Sequence, residues 1–209
     1  MNQAFFLFTC IISSTIAAES LNITQFSRWE DVESQYQSLL SFQETDINEG
    51  CNLRAHYWSR FLESHHRTLT GKVFIFFTPE FQNRKNLRWW YHVAPFVYLR
   101  NKEGNGVSEI VFDKAHRDRP EPLNQWVQAI SSEKCREGKN LEDYDLNLIL
   151  GGCVIYRANR FQFTPSDLNP AARKTSWQCR DLYKVKNLLP GFATNGPNRR
   201  WIYEELCVK

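Results

Sequence analysis

Several things are scarce in this sequence, and each absence removes a class of function. Beyond the N-terminus no stretch approaches the ~20 consecutive apolar residues that cross a bilayer, which argues against a multi-span membrane protein. Charge of one sign is not in excess either. The net charge is +3, and Lys and Arg are interleaved with Asp and Glu, so no nucleic-acid partner is expected. Arg199–Arg200 is a short basic pair read as solvated surface. There is no H-E-x-x-H and no C-x-x-C, so the common zinc spacings are missing and no metal site is expected. Low-complexity tracts and internal repeats are also lacking. Aromatic residues, by contrast, are plentiful: 15 Phe, 7 Trp and 8 Tyr in 209 residues are enough to anchor one domain's core.

The one apolar run lies at the start. Ala4 to Ile16 carries no charge, and Ala17 and Ala18 precede the polar Glu19–Ser20. This is the layout of a secretory signal peptide over residues 1–18, although the usual N-terminal Lys or Arg is absent. An N-terminal anchor is the alternative. With the signal removed, the protein is expected to be secreted or periplasmic, free of the membrane and monomeric.

Export changes how the cysteines are read. Without Cys10, five remain: Cys51, Cys135, Cys153, Cys179 and Cys207. In an oxidising compartment an odd count predicts one free thiol beside two disulfides. Cys51 stands far from the other four, so it is the one expected to be unpaired. Nearest-neighbour pairing, Cys135–Cys153 and Cys179–Cys207, is the simplest of three connectivities.

Periodicity divides the remainder. Ser27-Arg28-Trp29-Glu30 has the form of a capping box, with Trp29, Val32, Tyr36, Leu39 and Leu40 following at helical spacing. Residues 43–50 read as a polar loop. A second helix is predicted from Gly50–Cys51 to about His65, with Leu53, Tyr57, Phe61 and Leu62 as its apolar stripe. Strands are predicted at 72–78, 89–99, 107–113 and within 150–163, with Glu103-Gly104-Asn105-Gly106 as a hairpin turn. Residues 120–132 read as a helix facing the core through Leu123, Trp126, Val127 and Ile130. The chain after Thr164 is loop-rich. The order predicts an α+β fold in which a helix bearing a cysteine docks on an antiparallel sheet bearing a histidine and an aspartate.

These three residues suggest chemistry. A thiol attacks as its thiolate, and the first turn of a helix offers Cys51 partial positive charge and free backbone N–H groups. Its own N–H is a candidate oxyanion donor. Alternation puts His92, Ala94, Phe96 and Tyr98 on one face of their strand, with Val93, Pro95, Val97 and Leu99 on the other. Asp113 ends the partner strand and is expected level with Trp90 to His92, where a carboxylate fixes the imidazole tautomer.

The segments Gly50-Cys51-Asn52-Leu53-Arg54-Ala55-His56, Trp90-Tyr91-His92-Val93-Ala94 and Ile110-Val111-Phe112-Asp113 together resemble bacterial secreted protein-glutaminase (protein-glutamine deamidase). The resemblance covers roughly residues 49–130. It implies a papain-like or transglutaminase-like core, with Cys51 as nucleophile, His92 as general base and acid, and Asp113 as its orienter. It further implies a protein or peptide substrate bearing glutamine, hydrolysed to glutamate and ammonia through a thioester, with no metal or cofactor. On this basis residues 19–45 form an N-terminal helical segment, a candidate short pro-segment, and 46–209 the catalytic domain. Three features depart from the family pattern: Pro95 within the histidine strand, which suggests an edge or a bulge; Lys114 after the aspartate, where proline is common; and the short stretch before Cys51, where the family has a long pro-region. Trp89–Trp90 reads equally as a substrate platform or as core. His56 reads as structural, and His65, His66 and His116 as exposed residues. A cysteine peptidase or transglutaminase using the same triad, and a disulfide-stapled binding domain, are the competing functions.

Overall fold

A computed structural model describes residues 22–39, 50–138 and 152–162 of the chain. The expected loop at 43–50 (all but Gly50), the signal segment, the Cys179–Cys207 pairing and the loop-rich end lie outside these residues. Eleven elements follow in order: β1 (Gln25–Phe26), α1 (Trp29–Ser38), α2 (Cys51–His66), β2 (Gly71–Phe77), α3 (Pro79–Lys85), β3 (Tyr91–Arg100), β4 (Val107–Val111), β5 (Glu121–Pro122), α4 (Leu123–Ser131), β6 (Arg136–Glu137) and β7 (Cys153–Asn159).

The strands form one sheet in the order β5-β4-β3-β2-β7-β6, with β1 added alongside β3. The α+β class holds, but the sheet is mixed rather than antiparallel. β1 runs parallel to β3, and β6 parallel to β7, while the central pairs are antiparallel. Two-residue strands of this kind carry no periodicity, so tertiary pairing alone creates them. The helix α3 was also not anticipated. It is only seven residues long, but Thr78 caps it by accepting from the Phe81 N–H, and Pro79 occupies its first turn. Conversely, the expected capping box at Ser27 does not form: Arg28 takes the cap position without a side-chain cap and pairs with Asp31 instead.

Two apolar layers cover the sheet. On one face α1 and α2 bring Val32, Tyr36, Leu53, Tyr57, Trp58 and Leu62 against Val97, Ile110 and Phe112. On the other, α3 and α4 bring Phe81, Leu123, Trp126 and Val127 against Val73, Ile75, Phe77, Ala94 and Phe96. The predicted alternation of β3 is what separates the layers. At Gly71 an added Cβ would lie 2.4 Å from the Phe96 ring and 2.7 Å from Ile23, so only glycine lets the N-terminal segment cross here. The disulfide Cys135–Cys153 joins the segment before β6 to the start of β7, as nearest-neighbour pairing predicts. Closing a loop of this length is worth about 3 kcal/mol in the chain-entropy view.

Pro95 sits in a central strand, not at an edge or bulge. It faces Lys72 of β2, and on its other side its carbonyl accepts from the Phe112 N–H at 2.9 Å. In an antiparallel ladder that pairing would call for a return bond from residue 95, which proline cannot donate. The β3–β4 ladder accordingly ends at Phe96↔Val111. Residues 91–94 are therefore paired to β2 on one side, with no β4 partner on the other.

Candidate active site

The gap left by β4 is where the three predicted residues meet. α2 opens at Gly50, whose φ of 67° and whose contact with Asn52 (2.5 Å from an added Cβ to Oδ1) both demand glycine. No side chain of Gly50 can cap the helix, and the first helical bond runs from the Arg54 N–H to the Gly50 carbonyl. Cys51 thus stands at the first helical position, with its N–H in the uncapped turn. It is the free cysteine among the described residues, as parity predicts. Its Sγ–H points to the Tyr91 carbonyl at 4.0 Å. Alternation directs that carbonyl away from β2, to the flank that β4 has vacated.

His92 follows Tyr91 and is buried. Its Nε2 and the Asp113 Oδ2 are 2.8 Å apart, and the Tyr91 carbonyl that Cys51 Sγ approaches belongs to the residue just before it. Asp113 is not the end of a strand: β4 stops at Val111. Continuing the register puts Asp113 opposite Ala94, so it reaches His92 diagonally rather than level with it. The chain then turns over Asp113, whose carbonyl accepts from the N–H groups of His116 (3.1 Å) and Arg117 (2.9 Å). Lys114 strengthens this turn from outside. Its ammonium donates to the carbonyls of Gln37 (3.0 Å) and Leu39 (2.5 Å) at the end of α1, tying the N-terminal segment to the aspartate. A proline there could not do this.

Burial alone pushes the His92 imidazole down. The Asp113 carboxylate, by charge and hydrogen bond, and Cys51, by the same two means, outweigh it and carry the ring from 6.5 up to about 9. Burial likewise pushes Asp113 up, but the charge and hydrogen bond of His92, then His116 and Trp126, hold it below its ordinary value. His116 is lowered, chiefly by burial, with His92 and Arg54 adding to the effect against Asp113.

Two residues of this surround were not recognised from sequence. Trp126, expected only as core, donates its indole N–H to Asp113 Oδ2 at 2.9 Å, the same oxygen that meets His92. His116 is an exposed turn residue, as expected, and it also sets its ring edge-on to His92 with centroids 4.8 Å apart. Trp89 completes the wall, 5.3 Å from the imidazole. Its neighbour Trp90 is instead 45% exposed and packs on Phe76 and Tyr91. His56 is buried on α2 and accepts from Lys72, in keeping with a structural role. His65 and His66 are exposed at the end of the same helix. His92, Asp113 and His116 place ligand-type atoms within 4.8 Å of one another, but those of His92 and Asp113 already bind each other.

Comparison with known proteins gives the following. A protein-family profile described as Glutaminase matches residues 17–130. Similar solved structures include the NMR structure of protein-glutaminase from Chryseobacterium proteolyticum, at 14% identity over 82% of this chain and 93% of that one, TM-score 0.46. A crystal structure of pro-protein-glutaminase matches at 15% identity over 83% of this chain and 62% of that one, TM-score 0.45. A further protein-glutaminase crystal structure matches at 17% identity, over 72% and 75% of the respective chains, with a TM-score of 0.36. No curated protein matches.

Proposed function

The chain belongs to the glutaminase family, and from that premise we propose that it deamidates glutamine side chains in proteins through Cys51, His92 and Asp113. The observation that carries this reading is the buried His92–Asp113 contact of 2.8 Å, with Cys51 at a helix start and its Sγ 4.0 Å from the carbonyl of Tyr91, the residue before His92. In this reading the core is papain-like or transglutaminase-like, with the helix of Cys51 meeting the strand of His92 at an open flank.

As general base His92 takes the proton of Cys51, and the imidazolium is the counter-charge of the thiolate so formed. Sγ attacks the carboxamide carbon, and the oxyanion forms at the Cys51 N–H. As the C–N bond breaks, His92 gives its proton to the nitrogen, which leaves as ammonia. The neutral imidazole then takes a proton from water, whose oxygen attacks the thioester. Glutamate is released and the thiol is restored. Asp113 holds the ring throughout and stabilises its charged form. Export in an oxidising compartment is part of the proposal, supported by the Cys135–Cys153 disulfide beside an unpaired Cys51.

The test is to incubate the purified protein with a glutamine-rich carrier protein and follow ammonia, chain cleavage and amine incorporation together. Ammonia alone is the expected result. Cleavage would instead indicate a peptidase, incorporation a transglutaminase, and none of the three across varied carriers would favour a binding domain.

A further inference from the structure

We propose that Trp126 is a positioning residue of the site, orienting His92 through Asp113. The inference rests on the triad reading above but goes beyond it, because a tryptophan on a core-facing helix has no evident part in acyl transfer.

Three observations converge on it. The indole N–H donates to Asp113 Oδ2 at 2.9 Å, while Nε2 of His92 meets that same oxygen at 2.8 Å. Oδ2 is therefore held from two sides by groups on two different elements, α4 and β3. The other carboxylate oxygen, Oδ1, is buried without a hydrogen-bond partner among the described residues. Among the described residues the carboxylate has two side-chain donors to fix its rotation, and Trp126 is the one that takes no part in proton transfer. Finally, Trp126 is fully buried, with its ring 5.7 Å from the imidazole at 32°, so it also walls off that side of the pair. A phenylalanine would fill much of that space and lack the N–H.

Among the described residues, few groups face Asp113. They are His92 from β3, His116 and Arg117 from its own turn, Tyr36 from α1, and Trp126 from α4. Of these, His92 and Trp126 bond to its side chain. Removing the indole donor leaves the ionised carboxylate less stabilised, so it takes up a proton at higher pH. Once Asp113 is neutral, the imidazolium loses its counter-charge and Cys51 becomes less reactive.

The experiment measures the rate of Cys51 alkylation by iodoacetamide against pH, which needs no knowledge of the substrate. Four proteins are compared: the unsubstituted chain, Trp126→Phe, Asp113→Asn and the double variant, with near-ultraviolet circular dichroism as a check on packing. In Trp126→Phe the acidic limb is expected to move up by about one pH unit, the size of one hydrogen bond to a charged group. In the Asp113→Asn background the same substitution should change the profile by less than about twofold, because its target is gone. An unchanged limb in Trp126→Phe overturns the assignment. An equal loss with and without Asp113 overturns it too, and makes Trp126 a packing residue. Failure of Cys51 to label selectively in the unsubstituted chain would sink the nucleophile itself, which is a different result.

Discussion

The two halves of β3 share one strand but differ in what surrounds them. Residues 96–100 pair with β4, and Tyr98 and Leu99 are further joined by β1. Residues 91–94 pair with β2 alone. The first half places Val97 and Leu99 against the α1–α2 layer. The second buries an imidazole and leaves one backbone flank open to Cys51. Pro95 divides them, because a ladder cannot continue past a residue with no N–H to give. The stability of the sheet and the chemistry of the site are thus built on consecutive residues, separated by one missing donor.

The comparison is most sharply tested at the open half. Cys51→Ala should abolish ammonia release, by about 10⁴-fold or more, with the fold intact by circular dichroism. Retained activity would mean that another group is the nucleophile. Asp113→Asn should cost about 10³-fold in kcat while keeping the shape of the site.

The same substitution should also alter stability against pH. His92 is raised from 6.5 to about 9, so its contribution is complete below 6.5 and is lost as pH rises through about 9. Asp113 is lowered, so its contribution is present above its ordinary 3.8 and is lost as pH falls through the depressed value. Urea midpoints should therefore decline on both sides of a plateau, and Asp113→Asn should flatten the alkaline decline. An alkaline decline of equal size in the variant would detach it from this pair.

The paired half should respond differently. Val97→Ala removes buried methyl groups from the α1–α2 layer and should lower the unfolding free energy by about 2 kcal/mol. Its rate of ammonia release per folded molecule and its pH profile should stay unchanged, and a shifted profile would show that the halves are coupled. The smallest effect is expected from Pro95→Val. It restores one donor facing Phe112, changes stability by no more than about 1 kcal/mol, and should slow amide exchange around residues 95 and 112. Alkylation of Cys51 should slow with it, if the gap beside β3 narrows; an unchanged rate would remove Pro95 from the account of the site.

Much of this was legible in advance for local reasons. Gly50 before Cys51, the apolar stripe of α2 and the alternation of β3 are patterns of period and turn chemistry, which neighbouring residues impose on one another. Cysteine parity marked Cys51 as free and proximity paired Cys135 with Cys153. The missed elements are those with little local signal: the two-residue strands, and α3, whose Thr78–Pro79 start was present but too short to carry a stripe. Asp113 was assigned to the right partner for the wrong geometry, since a ladder was expected to continue where Pro95 ends it. Trp126 was visible only as an apolar residue, because periodicity reports which face is buried and not what an indole N–H will meet there.

By itself, then, the sequence determined the α+β class, the helix start at Cys51, the face on which His92 lies and the identity of the free thiol. The helix start and the face of His92 depend on residues within a few positions of one another, while the class and the free thiol follow from the order of elements and the count of cysteines along the chain. The tertiary structure decided that β4 leaves the sheet beside His92, that Asp113 crosses to it on the diagonal, and that Lys114, His116 and Trp126 close around the aspartate. Those contacts join residues from separate elements, and only the packed sheet brings them within hydrogen-bonding distance.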